Sequence, residues 1–224
     1  MRKYQLVCPI RKANPYRRMA NAMRTNNVCD NILNRQFKEH GPRRVLLTDI
    51  TYIPLCGAFC YLSVIMDAFT KQVLAYVLSE SLEVDFVLET VNILTEKHAL
   101  SLDAETLIHS DQGCHYTSKK FRQIVSDINL RQSMSQRGNC WDNAPQESFF
   151  GHMKEELDTA MVNVGSFDEA KDLIDDWMDY YNNDRMDYYN NDRPQWLLAK
   201  LSPNEYYQYI TSGIYPLAIA PPLQ

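Results

Sequence analysis

Hydrophobic and polar positions change their period along this chain in a readable order. The run RVLLTDITYIPL (44–55) is rich in Val, Ile, Thr and Tyr. FCYLSVIMDAF (59–69) and KQVLAYVLS (71–79) follow after short turns, which predicts a three-strand meander. The period then lengthens. Val84, Val87, Leu88, Val91 and Leu94 share one broad face of a helix over residues 84–98. ETLIHSD (105–111) reads as a fourth strand. TSKKFRQIVSDI (117–128) opens on capping residues and repeats Phe121, Ile124, Val125 and Ile128 at helical spacing. LRQSMS (130–135) predicts a short fifth strand, and QRGNCWDNAP (136–145) predicts a loop. Pro145 starts a helix running to about residue 160, and Ser166 caps another from about 167. The order β-β-β-α-β-α-β-α predicts an α/β fold: a mixed five-stranded sheet flanked by helices, with hairpin-linked strands first and parallel crossover strands after.

Ahead of residue 44 the pattern is weaker. Asn14 before Pro15 predicts a helix start, and Asp30 is placed to cap a second short helix over NILNRQF. HGPRR (40–44) reads as a linker. The expected division is a basic helical arm over 1–43, a sheet-and-helix core over 44–165 and a helical C-terminal extension over 166–224. Within that extension MDYYNNDR (178–185) is repeated letter for letter at 186–193. An in-frame duplication of this kind predicts a longer helix and a displaced tail.

Composition narrows the classes. With 224 residues and 45% hydrophobic content the chain can bury a full core, which excludes global disorder. No apolar run reaches the roughly 18 residues of a membrane span, and no long apolar stretch follows the basic N-terminus. A cytoplasmic protein without a membrane partner is expected. The six cysteines form no CxxC pair, so reduced thiols are expected. The net charge of −5 conceals an asymmetry. Residues 1–45 hold 11 Lys and Arg against 2 Asp and Glu. A basic arm on an acidic body suits contact with a polyanion, and Arg17, Arg18, Arg43 and Arg44 are its candidate contacts.

Three carboxylates carry the candidate chemistry. Asp49 sits in the middle of an apolar strand, a costly place for a charge without a partner. Asp111 ends the fourth strand. Glu147 lies in the first turn of the helix after Pro145, with Asp142 and Glu155 as rivals for a third acid. Close carboxylates either raise a pKa or bind cations, and an all-oxygen set favours Mg2+ or Mn2+. His109 and His115 flank Asp111 and need no catalytic role.

The stretches LLTDITYI, HSDQGCHYTS, SQRGNCWDNAPQESFFGHMKEE and YYNNDRPQWLLAKLSPNEYY resemble the catalytic core of insertion-sequence DDE transposases of the orfB type, in the retroviral-integrase superfamily. The resemblance extends over residues 44–207, and 35 residues separate Asp111 from Glu147. It implies an RNase H-like fold. It also implies that Asp49, Asp111 and Glu147 hold two divalent cations, Mg2+ with Mn2+ as a substitute, for nicking and strand transfer of DNA. Lys154, seven residues beyond Glu147 and on the same helix face, is implied as a phosphate contact. Asn143 either orders its loop or touches DNA, and Arg137 lies in a loop able to fold over DNA. The implied partners are element ends and target DNA, further copies of the chain on DNA, and a separately encoded helix-turn-helix protein, since about 45 residues precede the core. A catalytically impaired remnant that only binds DNA and a stand-alone nuclease are the alternative readings.

Overall fold

The computed structural model describes residues 28–37, 39–136, 143–181 and 209–215. Its elements are β1 (Val45–Leu55), β2 (Ala58–Asp67), β3 (Val73–Ser79), α1 (Val84–His98), β4 (Leu107–Ser110), α2 (Lys119–Asp127), β5 (Arg131–Met134), α3 (Ala144–Met161) and α4 (Phe167–Asp179). They form one five-stranded sheet in the order β3-β2-β1-β4-β5. β2 runs antiparallel to β1 and to β3, while β4 is parallel to β1 and β5 to β4. The mixed sheet expected from the pattern is therefore present, with β1 at its centre.

Local chemistry explains the joints. Leu55 pairs with Ala58, which leaves Cys56 and Gly57 as a two-residue turn. Their φ angles of 47° and 79° are the left-handed pair that matches strand twist in a tight hairpin. Ser118 caps α2 by accepting from Phe121 N, and Ser166 caps α4 by accepting from Glu169 N. Pro stands in the first turn of α3.

Alternation along β1 divides the core into two layers. Val45, Leu47 and Ile53 face Phe149, Phe150 and Met153 of α3 and Ile174 and Trp177 of α4. Leu46, with Ile65 and Ile108, faces Phe86 and Val91 of α1 and Phe121 and Val125 of α2. A central strand covered on both faces explains the near-continuous apolar run at its start.

One expectation is overturned. NILNRQF does not form a helix, because Asn34 and Arg35 take left-handed φ angles of 45° and 65°. The segment instead lies along β5. Met134 N donates to Asp30 O at 3.3 Å, Ile32 N donates to Ser133 Oγ at 3.0 Å, and Leu33 is fully buried. It covers an edge strand that would otherwise present open hydrogen-bonding groups. The arm helix expected from Asn14, together with Arg17 and Arg18, lies outside the described residues, and so does the second copy of the repeat. Among the described residues no helix is long and apolar enough to cross a membrane.

Candidate active site

Strand register brings the first two acids together. Leu47 of β1 is level with His109 of β4 in the parallel pairing. Two residues further along both strands, Asp49 and Asp111 fall level with each other just beyond the last paired residue of β4. Side chains of the same parity share a face, and here that face is the one covered by α3. Glu147 lies in the first turn of α3. One strand centre, one strand end and one helix start thus supply the three carboxylates.

Hydrogen bonds hold two of them. Asp49 Oδ1 accepts from Ile50 N at 2.8 Å, and Oδ2 accepts from Asn143 Nδ2 at 3.3 Å. Asp111 Oδ1 accepts from Gly113 N at 2.8 Å. A Cβ on residue 113 would fall 2.8 Å from Asp111 Oδ1, so any side chain there would push that carboxylate out of place. Glu147 is exposed and makes no hydrogen bond or ion pair among the described residues, so its side chain is free to turn.

Electrostatics couples the set. Burial pushes the Asp49 carboxyl up to about 7, and the negative charges of Asp111 and Glu147 push in the same direction. The Ile50 N–H and the Asn143 amide pull it back. Asp111 keeps one side open to water, yet lost hydration on its protein side raises its pKa against the opposing Gly113 N–H and His115. Among the described residues no three His, Cys, Asp or Glu side chains form a ready-made metal cage. The chemistry of the donor set is that of a hard divalent cation, oxygen only, with mutual repulsion that a cation relieves.

The other candidate residues separate sharply. Lys154 is exposed on α3, partial desolvation lowers its pKa, and it has no carboxylate partner among the described residues. Asn143 is only 5% exposed, and its side chain is turned onto Asp49 rather than out to solvent. Arg43 is committed to the fully buried Asp67, with Nη1 at 3.3 Å from Oδ2, and it donates to Gln72 as well. Arg44 pairs with Asp103. Both arginines precede β1, at the opposite end of the parallel strands from Asp111. Arg137 lies outside the described residues, as does the rival acid Asp142, while Glu155 is exposed further along α3. His109 bonds Ser133 Oγ at 2.9 Å, and His115 Nε2 lies 2.7 Å from Leu82 O.

Gln146 went unremarked in the sequence. It is fully buried beside Glu147, with Nε2 donating to Val64 O at 3.4 Å. Val64 is the β2 residue level with Asp49. The available signal was a second carboxamide three residues after Asn143, which places both on one side of the helix start.

The integrase core domain family matches residues 39–140, and a second family of the same description matches residues 128–186. An uncharacterized transposase-like protein of Haemophilus influenzae is 31% identical over 180 residues, covering 80% of this chain and 78% of the relative. The transposase for insertion sequence element IS904 of Lactococcus lactis is 31% identical over 160 residues, covering 69% and 60%. A protein of insertion sequence element IS150 of Escherichia coli is 34% identical over 158 residues, covering 70% of this chain and 55% of the relative. The chain therefore spans between about half and four fifths of these relatives. Among solved structures, the catalytic core domain of BIV integrase superposes with a TM-score of 0.51 at 12% identity, covering 76% of this chain and 97% of that one. A simian T-cell lymphotropic virus intasome chain superposes with a TM-score of 0.55 at 13% identity, covering 90% and 63%. These likenesses establish the fold, an RNase H-like core.

Proposed function

The chain belongs to the integrase core family, alongside insertion-sequence transposases, and we propose that it is a DNA transposase acting by metal-assisted phosphodiester exchange. The observation that carries this reading is the strand register that sets Asp49 level with Asp111, where the Asp49 carboxyl is raised by burial first and then by the charges of Asp111 and, less strongly, Glu147. Three acids from distant parts of the chain have no structural reason to repel one another at one end of a sheet.

Asp49, Asp111 and Glu147 are the residues that would hold two divalent cations, Mg2+ or Mn2+. When bound, such ions supply Lewis-acid activation of an attacking oxygen and neutralise charge on the leaving one. The chain's own groups do the rest. The Ile50 and Gly113 N–H groups orient Asp49 and Asp111, so these two acids are presented in fixed directions. Glu147 has the freedom to turn inward. Lys154 offers an unpaired positive charge to a DNA phosphate on the helix that carries Glu147. The reactions are nicking at an element end and transfer of the freed 3′-hydroxyl into target DNA, without a covalent enzyme intermediate.

Arg17, Arg18 and Arg137 remain candidate DNA contacts. Arg43 is taken up by the buried Asp67, while Arg44 pairs with the half-exposed Asp103 and stays a candidate contact. Further copies of the chain on DNA, a separately encoded helix-turn-helix protein and a cytoplasmic setting belong to the same proposal.

Labelled DNA ends incubated with Mg2+ or Mn2+ test it, with wild type set against Asp111→Asn. Metal-dependent nicking that disappears in the variant is expected. DNA binding with no cleavage under either metal would overturn the catalytic reading in favour of a remnant that only binds.

A further inference from the structure

Two buried amide oxygens at the start of α3 have no partner among the described residues. Asn143 occupies the N-cap of that helix, the position where an Asn side chain ordinarily accepts from the backbone of the first turn. It makes no such bond. Its Nδ2 goes to Asp49 Oδ2 instead, and its Oδ1 is buried and unpaired. One turn on, Gln146 repeats the arrangement. Its Nε2 goes to Val64 O, and its Oε1 is buried and unpaired. A backbone carbonyl and an ionised carboxylate only accept hydrogen bonds. Each amide must therefore turn its nitrogen toward them, which fixes where the oxygen points.

Stability alone does not explain this choice. A capping bond is surrendered at Asn143, and two acceptors forfeit the hydrogen bonds that water would give them. Both sacrifices occur within one turn, beside the strand position that carries Asp49. Buried acceptors next to carboxylates are matched by whatever donors accompany a cation, and Mg2+ in particular keeps several of its waters when bound.

We propose that Asn143 and Gln146 are positioning residues for cation binding: the Asn143 amide nitrogen orients Asp49, and the two amide oxygens accept from water held in the occupied site. This rests on the metal-binding reading above and deepens it. Neither residue is a direct ligand. They play the part of an outer shell, whose loss typically weakens metal affinity about 10- to 100-fold.

The test uses the full chain as wild type, Asn143→Ser and Gln146→Leu. Melting temperature is measured in chelator, and Mn2+ affinity is measured by titration calorimetry. Ser at the N-cap supplies an alternative capping oxygen, and Leu removes the unpaired acceptor. Both variants are expected to melt in chelator at or above the wild-type temperature while binding Mn2+ about tenfold or more weakly. Wild-type Mn2+ affinity in both variants overturns the proposal. A lowered melting temperature with unchanged affinity also overturns it, by assigning a purely structural role. If wild type itself binds no Mn2+, the metal-binding reading fails first and takes this one with it.

Discussion

Replacing Asp49 by Asn should stabilise the metal-free protein while removing its activity. In the fold the Asp49 carboxyl is raised from 3.8 to about 7 by burial and by the charges of Asp111 and Glu147. An acid raised in this way is favoured in its protonated form by folding. Its contribution to stability is intact below pH 4 and is lost as the pH climbs toward 7. At about 1.4 kcal/mol per pH unit the loss has an upper bound of about 4 kcal/mol. The exposed Glu147 side chain can swing away and water reaches the open side of Asp111, which brings the expected gain on neutralisation to about 2 kcal/mol. For a chain of this length that corresponds to a rise in Tm of roughly 4–8 °C. Thermal unfolding followed by circular dichroism, in chelator at pH 8 and at pH 5, reads the effect. Asp49→Asn should melt higher than wild type at pH 8, with the gap cut by more than half at pH 5, where folded wild-type Asp49 carries a proton, and closed only below pH 4. Added Mg2+ should raise the wild-type Tm and leave the variant unmoved. A variant no more stable than wild type at pH 8, or equally stabilised at both pH values, would refute the reasoning.

Gly113→Ala should keep the fold and lower strand transfer at least tenfold, because the new Cβ would displace the Asp111 carboxylate; a nicking assay beside a far-ultraviolet dichroism spectrum checks both halves. Lys154→Ala should weaken DNA binding on every sequence and reduce the slope of log affinity against log salt by about one, with an unchanged Tm. Arg43→Ala should do the opposite, destabilising the fold by about 3 kcal/mol because it strips the ion-pair partner from the buried Asp67, and leaving the salt slope of DNA binding unaltered.

The alternation of RVLLTDITYI and the helical spacing of Val84 to Leu94 reflect burial that the chain imposes wherever it folds, so the succession of strands and helices and the helix-covered mixed sheet were legible in them, while the order β3-β2-β1-β4-β5 was not. Asp49 stood out for a related reason, since an acid among β-branched residues of a buried strand needs an explanation. Long-range partners left weaker marks. Arg43 belongs to the basic arm by charge, but Asp67, 24 residues further on, takes its guanidinium. Asp30 ahead of NILNRQF looks like a cap. The helix is lost to contacts with Ser133 and Met134, about a hundred residues away, which satisfy that backbone better. Asn143 carries the signature of an N-cap, and only the convergence of α3 on β1 reveals that Asp49 claims its side chain. Local pattern records what each segment buries and is silent on which distant group it meets.

Anomalous diffraction at the manganese edge, from crystals of the full chain soaked in Mn2+, tests the central claim most directly. The account predicts a peak within ligand distance of the carboxylates of both Asp49 and Asp111, with Glu147 turned toward it. A well-occupied peak elsewhere, with none between those two side chains, would contradict it.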